Sequence, residues 1–316
     1  MQNAAFNINI NTKTQRYRDF SFPLCLCNSV LHLYMEVLCI IVLMASMAGC
    51  GRHHPANGNP APVSKEEIHQ EAVLQTDSFK YALKTANGSC EVYIDYPKSG
   101  PKAAVESLRT FIRSTLFENG CDTIADNPSE WVRQYCNIRQ QHLKKTLSEM
   151  GLQQVSATYA PEEGIDIRLT CLSDRFVTYE VYRYSYISHG AHGEYSDYGV
   201  TFRLSDGQRL NHILDHVDEA LYAHIRVGLR EYFGVSTDKA LEDLCTADLS
   251  LLPMPTFPPY LMKDGVRLHY SIYDICAFND GDPVVTIPYD IAWPYMTEAA
   301  REAALGMKDE ELRIKN

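Results

Sequence analysis

A long hairpin in the middle of the sequence constrains the fold more than any other feature. Residues 176–189 and 194–204 both alternate apolar and polar side chains, and the turn at residues 189–193 reads His-Gly-Ala-His-Gly. Alternation with period two is typical of antiparallel strands. The second stretch keeps one phase, whereas the first changes from odd to even positions after Val181. Because a strand needs an extra residue to change phase, we predict a β-bulge near Val181 and Tyr182.

Turn signals and apolar periodicity place further elements on both sides of this hairpin. Asn87-Gly88 and Asp264-Gly265 predict two-residue hairpin turns between alternating segments. Helical spacing and capping signals predict helices at residues 103–118, 127–151 (Asn127 as cap, Pro128 first), 215–234 (Asp215 as cap), 237–244 and from Met296. Other alternating runs predict strands at residues 79–83, 89–96, 155–159, 165–172 and 284–288, and on either side of the Asp264-Gly265 turn within residues 260–270. Segregated helices and mainly antiparallel strands are typical of an α+β fold.

The N-terminal part of the sequence predicts where the protein is located. Residues 37–50 form an uncharged apolar run that ends in small residues before Cys50 and then turns polar. Such a run is typical of a secretory leader, since a transmembrane helix needs about 20 apolar residues. A cysteine at this position resembles the bacterial lipobox, in which the thiol is acylated. We predict a lipoprotein signal peptide over residues 1–49, starting at Met1 or Met35, and lipidation at Cys50.

Composition narrows the setting of the mature protein. A Pro/Gly/Asn-rich stretch predicts a flexible tether at residues 50–75, followed by domains at 76–173 and 174–316. The net charge of −11 argues against nucleic acid as a ligand and leaves the lipid anchor as the expected membrane contact. We expect an extracytoplasmic protein facing the periplasm or the cell surface. Solubility or a basic protein partner accounts for the acidity.

An even number of cysteines follows Cys50, namely Cys90, Cys121, Cys136, Cys171, Cys245 and Cys276. In an exported chain they permit disulfides, and buried free thiols are the alternative. Cys121 and Cys136 flank a polar, turn-rich stretch, where a bridge would stabilise the fold by about 3 kcal/mol. Since no Cys/His spacing is typical of a zinc site, we predict no metal and no cofactor.

Candidate chemistry concentrates in the central hairpin. His189, His192 and Asp197 lie close together in the sequence and are residue types that bind metals. The two imidazoles could bind a metal and the carboxylate could orient or complete the site, although turn histidines are more often exposed. The tyrosines of the hairpin stabilise a sheet as cross-strand pairs, and any row facing solvent would suit a protein or glycan ligand. The predicted ligand-binding residues are His189, His192, Tyr182, Tyr184, Tyr186, Tyr195 and Tyr198. The carboxylate pairs Glu162-Glu163 and Asp280/Asp282 are typical of solvated turns. Lacking hydrolase and nucleotide-binding motifs, the chain is predicted not to be an enzyme.

A family resemblance is carried by Gly190, Ala191, His192, Gly193, Asp264, Gly265, Tyr270, Tyr273, Gly281, Pro288 and Tyr289. With these residues the C-terminal part resembles a bacterial domain of unknown function, which forms the extracytoplasmic end of lysozyme-sensing anti-sigma factors. One departure is His189, where the family has a glycine. The region at residues 76–173 is similar to the N-terminal domain of a peptidoglycan deacetylase.

The resemblance implies two packed α+β subdomains with flanking helices, the second like a subdomain of the heat-shock-cognate ATPase, without ATPase activity. It also implies a binding or sensing role in the cell envelope, with a lysozyme-like protein or peptidoglycan as the ligand. We therefore predict a binding lipoprotein. The alternatives are a structural component of an envelope complex and a metal-dependent cell-wall hydrolase or deacetylase centred on His189 and His192.

Overall fold

Two sheets and their covering helices form the computed structural model, which describes residues 73–117, 127–151, 160–186, 192–246 and 248–307. The strands are β1 (Gln75–Thr85), β2 (Gly88–Ser99), β3 (Glu162–Leu172), β4 (Phe176–Tyr186), β5 (Glu194–Arg203), β6 (Tyr260–Met262), β7 (Gly265–His269) and β8 (Val284–Ile287). The helices are α1 (Lys102–Leu116), α2 (Pro128–Glu149), α3 (Glu219–Phe233), α4 (Asp238–Leu244), α5 (Tyr289–Ala292) and α6 (Glu298–Ala303). Short 3-10 helices lie at Leu249–Leu251, Phe278–Asp280 and Trp293–Tyr295. The predicted α+β class with two packed subdomains is confirmed.

The first sheet has five strands in the order β1-β2-β3-β4-β5, all antiparallel except the parallel pair β2–β3. The predicted hairpin at Asn87-Gly88 is confirmed, although its turn residues are Ala86 and Asn87, and Gly88 opens β2. Helix α2 begins as predicted, because the Asn127 side chain accepts a hydrogen bond from the backbone N–H of Ser129. Capping of this kind contributes about 1 kcal/mol.

One face of this sheet is covered by α1 and α2, and the core between them is apolar. Its fully or almost fully buried side chains include Val92, Ile94, Leu108, Ile112, Trp131, Ile165, Ile167, Tyr179, Val181, Val200 and Phe202. Burial of a large apolar side chain contributes about 1.5–3 kcal/mol. This core is therefore the main source of stability for the first subdomain.

The β-bulge predicted near Val181 and Tyr182 is wrong. β4 and β5 pair in one continuous register along their whole described length. The phase change in the sequence has another cause, since β4 is covered on both faces. Odd residues such as Val181 face the helices, whereas even residues face the second subdomain or its rim. An irregularity does occur in β3, between Leu169 and Cys171.

The second sheet has three antiparallel strands in the order β6-β7-β8, with α3 packed on β8. The predicted cap of this helix is wrong: Asp218, not Asp215, accepts a hydrogen bond from Leu221 N at 2.9 Å. Asp215 instead uses its backbone N–H to bond the carbonyl of Tyr295 at 2.7 Å. The helix therefore begins at Glu219, later than predicted.

The predicted hairpin of the second sheet is confirmed with its turn shifted by one residue. Lys263 and Asp264 form the turn, and Gly265 pairs with Met262 as the first residue of β7. Gly265 has a φ of 153°, and a Cβ there would lie 2.2 Å from the carbonyl oxygen of Ile287. Glycine is thus required at this position because β8 passes too close for a side chain.

The predicted domain boundary at residues 173 and 174 falls between β3 and β4, which pair in one sheet. Within the compact unit Ile68–Asn316, the two subdomains share β4 and β5 as a common layer. The end of the predicted tether belongs to the fold, since Leu74 is buried in the first core. Residues 1–72 and the predicted strand at 155–159 lie outside the described residues. Among the described helices, none combines the length and the apolar character needed to cross a membrane.

Candidate functional site

Two threonines attach the second sheet to the face of β4 and β5 that α1 and α2 leave uncovered. Thr178 donates a hydrogen bond to the carbonyl oxygen of Leu261 at 2.6 Å, and Thr201 accepts one from the N–H of Leu261 at 3.0 Å. The two hydroxyls lie 2.9 Å apart, and both threonines are buried. The side chains thus satisfy both backbone groups that β6 directs away from β7.

Further along the same face, an aromatic ring lies over a glycine. A Cβ at Gly199 would lie 2.2 Å from the ring of Tyr260, so only glycine leaves room for it. The Tyr260 hydroxyl donates to Glu180 at 2.8 Å, and Arg267 Nη1 donates to the same oxygen at 3.3 Å. Glu180 is therefore paired with Arg267 and holds β6 and β7 on the sheet.

Beyond Glu180 lies the carboxylate–histidine cluster, which consists of Asp197 on β5, His269 on β7 and Asp282 before β8. One ligand atom from each side chain lies within 4.8 Å of the other two. His269 Nε2 is 3.1 Å from Asp282 Oδ2, and His269 is only 6% exposed. Asp197 Oδ1 is buried and has no hydrogen-bond partner in the described part of the chain. These three residues could hold a divalent cation or the cationic group of a ligand.

Burial raises the pKa of Asp197 to about 6. The positive charge of His269 opposes this rise, and the negative charges of Glu180 and Asp282 contribute to it. The neighbouring Tyr195 has its pKa raised to about 12, mainly by burial and by Asp282, to which it is hydrogen-bonded. A cation placed here would relieve the crowding of carboxylates, and it would bind best above about pH 6.

An aromatic surface borders the cluster. We use this name for Tyr182, His192, Tyr195, Tyr273 and Phe278, whose rings form a continuous chain. Tyr182 and Tyr195 have ring centroids 6.1 Å apart, and Tyr195 and Phe278 are 5.9 Å apart. His192 stacks on Phe278 at 3.8 Å, and its Nε2 lies 3.1 Å from the Tyr273 hydroxyl. Aromatic rings with accessible hydroxyls are enriched at protein interfaces.

Tyr273 is the most unusual residue of the aromatic surface. Its φ is 70°, a left-handed conformation that costs a bulky residue about 1–3 kcal/mol. It is nevertheless 58% exposed. The fold therefore holds a tyrosine in a strained conformation without gaining a buried contact in return. Strain of this kind clusters at binding sites.

The structure separates the predicted tyrosines. Tyr182 and Tyr195 lie on the aromatic surface, whereas Tyr198 faces the helix-covered side and stacks on Phe257 at 4.3 Å. Tyr184 lies over Gly193, where a Cβ would approach its ring to 2.5 Å. Tyr186 ends β4 and is half-buried. The structure brings Asp197 to His269 and Asp282, while His192 contacts Tyr273 and Phe278. His189, Gly190 and Ala191 lie outside the described residues.

The remaining residues of the family resemblance are mostly structural. Tyr270 and Tyr289 are fully buried, and Tyr289 donates to the carbonyl oxygen of Met262 at 2.6 Å. Pro288 precedes α5, and Asp264 lies in the β6–β7 turn. Gly281 has a φ of 85°. Tyr273 is the exception because it is exposed.

Sequence reasoning missed His269, Asp282 and Phe278. The prediction that Asp280/Asp282 form a solvated turn is wrong for Asp282, which contacts a buried histidine. Glu163 was also assigned to a turn, but it lies in β3, 8% exposed and paired with Arg139 at 2.6 Å. A histidine among the apolar residues of β7 was the available signal, since such a residue is seldom buried without a polar partner.

The cysteines of the described residues are free thiols: Cys90, Cys136, Cys171, Cys245 and Cys276. Cys136 is buried and donates to the carbonyl oxygen of Cys90 at 3.3 Å. Cys121 lies outside the described residues, so its pairing with Cys136 stays a prediction.

A concavity of about 900 Å³ lies at the other end of β4 and β5. It is lined by residues that include Asp174, Arg203, Glu302 and Leu305. Three of its charged groups pair with one another, as Arg203 contacts both Asp206 and Glu302. It is therefore a weaker candidate than the cluster, whose carboxylate oxygen is unpaired within the described structure.

Comparison with known proteins identifies the fold. No family model and no curated protein matches the sequence. A crystal structure of a DUF3298 family member from Bacteroides fragilis matches with a TM-score of 0.59 and 24% identity, over 75% of this chain and 98% of the other. A DUF3298 protein from Pseudomonas aeruginosa matches with a TM-score of 0.46 and 14% identity, over 72% of this chain and 96% of the other. Neither description names an enzyme.

This chain therefore shares the fold of the Bacteroides fragilis DUF3298 protein, whose domain is of unknown function. The predicted resemblance to a domain of unknown function agrees with that fold. The relation to anti-sigma factors and to the peptidoglycan deacetylase stays a prediction, as does the lipid anchor.

Proposed function

We propose that this protein is a binding module of the bacterial cell envelope, anchored through a lipid on Cys50, and that its ligand is a basic protein of the lysozyme type. The observation that carries the proposal is the exposed, strained Tyr273 within the aromatic surface beside the carboxylate–histidine cluster. The apolar run at residues 37–50 supports the proposed location in the cell envelope.

The chemistry of the surface favours a cationic protein. Aromatic faces attract Lys and Arg side chains, and each such contact contributes about 0.5–2 kcal/mol. Asp197 is the cross-strand neighbour of Tyr182, and Asp282 is hydrogen-bonded to Tyr195, so both carboxylates would attract the same cations. The net charge of −11 would also steer a basic partner toward the protein.

Biolayer interferometry of the purified protein against a basic lysozyme tests the proposal. We expect saturable binding that weakens as ionic strength rises, because the attraction between surface charges is screened. Tyr182→Ala and Tyr273→Ala should each raise the Kd about tenfold, because an interface that loses an aromatic anchor binds less tightly. Tyr182 is 41% and Tyr273 58% exposed, so neither is a core residue and the variants should fold.

Leu305→Ala provides the matched control. Leu305 is 53% exposed and lies beside Arg203, at the end of β4 and β5 opposite to the aromatic surface. Its truncation should leave the Kd unchanged. Equal effects of Leu305→Ala and Tyr273→Ala, or the absence of saturable binding by wild-type protein, would overturn the proposed site. Binding of soluble peptidoglycan fragments in place of lysozyme would assign the same surface to a glycan.

A divalent cation is a second candidate, favoured by the three ligand atoms within 4.8 Å in Asp197, His269 and Asp282. Three protein ligands with open positions suit zinc or manganese. Isothermal titration of EDTA-treated protein with Zn²⁺ tests it. One-site binding that is lost in His269→Gln would support a metal site, whereas unchanged binding in that variant would exclude the cluster as its location.

A further inference from the structure

Two cysteines far apart in the sequence face each other beside the aromatic surface. Cys245 follows helix α4, and Cys276 precedes the 3-10 helix Phe278–Asp280. They form an isolated antiparallel bridge. We propose that Cys245 and Cys276 form a disulfide when the protein meets a disulfide donor, and that this bond anchors the loop carrying Phe278 and Asp282. The physiological role of the bond rests on the proposed envelope location and binding function.

The backbone geometry at this bridge suits a disulfide. Thr246 N donates to the carbonyl oxygen of Ile275 at 2.8 Å. This hydrogen bond joins residues that flank the cysteines, so the cysteines themselves occupy a non-hydrogen-bonded pair. In such a pair the Cα atoms lie about 4.5 Å apart with the side chains close together. Disulfides need a Cα separation of about 4.4–6.8 Å, which the spacing typical of such a pair meets.

The environment of the thiols also fits a bond that forms and then persists. Cys245 is partly exposed, so its thiolate can reach and attack a disulfide donor, whereas Cys276 is 1% exposed. Burial raises the pKa of Cys276 to about 11, with smaller contributions from Asp280 and Cys245, so the more exposed Cys245 is the thiol that meets the donor first. The Cys276 thiol donates only a long hydrogen bond, 3.4 Å, to the carbonyl oxygen of Gly281. Replacing the two thiols with one disulfide therefore loses only this weak hydrogen bond.

The chemistry is a thiol–disulfide exchange with a small or protein disulfide as the oxidant. The Cys245 thiolate attacks one sulfur of the donor, forming a mixed disulfide and releasing one donor thiol. Cys276 then loses its proton and attacks the Cys245 sulfur, expelling the second donor thiol. The two protons and two electrons of the cysteine thiols end on the two donor thiols.

The bond would act on the proposed binding surface. Cys276 begins the loop that presents Phe278, on which His192 stacks, and Asp282, which contacts His269. Tying this loop to the end of α4 would restrict its motion before a ligand arrives. Preorganisation of this kind improves affinity by lowering the cost of ordering.

Tryptic mapping of exported protein tests the inference directly. Purified wild-type protein is alkylated without reduction and digested. Cleavage after Lys239, Lys263, Arg267 and Arg301 places the two cysteines in different peptides, residues 240–263 and 268–301. We expect one linked species of these two peptides, which separates on reduction. Finding both peptides alkylated, or either one linked to another cysteine, would overturn the inference.

Two further arms separate the bond from the binding function. Protein made with reduced thiols is treated with oxidised glutathione, and failure to form the linked peptides there would also overturn the inference. Reduction should lower the Tm of oxidised wild-type protein by about 5–10 °C, from the loop-closure entropy of the bond. Reduction should lower the Tm of a Cys245→Ser/Cys276→Ser variant by less than that of wild type, whereas the Tm of Cys171→Ser should fall as much as that of wild type. If the linked peptides form but lysozyme does not bind, the binding proposal fails and the disulfide stands.

Discussion

The two faces of β4 and β5 are built on different principles, although they belong to the same residues of the chain. The face under α1 and α2 carries apolar side chains such as Val181, Val200 and Phe202, each at most 3% exposed. The opposite face carries Thr178, Glu180, Asp197, Gly199 and Thr201, which bond, neutralise or make room for specific atoms of the second sheet.

The comparison separates stability from specificity. The apolar face contributes free energy through burial, and many side chains of similar volume would serve. The polar face depends on individual hydrogen bonds and one steric vacancy, so each of its residues has a particular partner. The same face ends at Asp197, whose buried Oδ1 has no hydrogen-bond partner in the described part of the chain.

The largest effect is expected at Gly199. In Gly199→Ala the new Cβ would meet the ring of Tyr260, which is 2% exposed and held by Glu180. We expect the free energy of unfolding in urea to fall by about 3 kcal/mol, because overpacking displaces the second sheet.

The matched control is Gly164→Ala on β3, where the nearest atom to the new Cβ is 3.3 Å away. It should cost well under half as much. Comparable losses for the two variants would show that any strand alanine is unfavourable and that Tyr260 is not specifically accommodated.

An intermediate effect is expected from Thr178→Val. The substitution keeps the volume but leaves the carbonyl oxygen of Leu261 without its 2.6 Å donor in a buried site. The expected loss in the free energy of unfolding is about 2 kcal/mol.

Thr115→Val tests whether the two faces differ in this respect. The Thr115 hydroxyl bonds only within its own helix, to Phe111 O at 2.8 Å, and that carbonyl belongs to the helical hydrogen-bond ladder. The control should change stability by less than about 0.5 kcal/mol. If both variants lose the same amount, the contrast between the faces is incorrect.

The smallest effect is expected at Asp197 and depends on pH. Its folded pKa of about 6 lies above the unfolded value of 3.8. The folded state therefore holds a proton that the unfolded state releases in this window, and the contribution to stability is lost as pH rises from about 4 to 6. Asp197→Asn removes the ionisation and should be more stable than wild type at pH 7 by about 1 kcal/mol, a shift discounted for partial exposure.

Urea unfolding of both proteins at pH 4 and pH 7 measures this difference. The gap should close at pH 4, where Asp197 is protonated in wild type too. Asp206 should behave in the opposite way, because hydrogen bonding from Arg203 lowers its pKa and its contribution is lost as pH falls. A gap between wild type and Asp197→Asn that does not depend on pH would show that burial does not raise the pKa of Asp197.

Sequence patterns predicted the α+β class, most helices and the hairpins because these depend on neighbouring residues. Asn127 with Pro128 predicts a helix start and Asn87-Gly88 predicts a turn, and neither prediction depends on residues elsewhere in the chain. The change of phase after Val181 was a real signal with the wrong interpretation. A period-two pattern reports which face is apolar, and it does not report that a second subdomain covers the other face.

Periodicity and capping act over a few residues, so the local elements, the apolar core positions and the tyrosine-rich hairpin follow from neighbouring side chains. The meeting of Asp197, His269 and Asp282, and of Cys245 with Cys276, follows from the three-dimensional fold. These residues come from different strands and loops, so their proximity depends on how the two sheets dock. The docking in turn depends on the Leu261 hydrogen bonds and the space above Gly199, which no local pattern encodes.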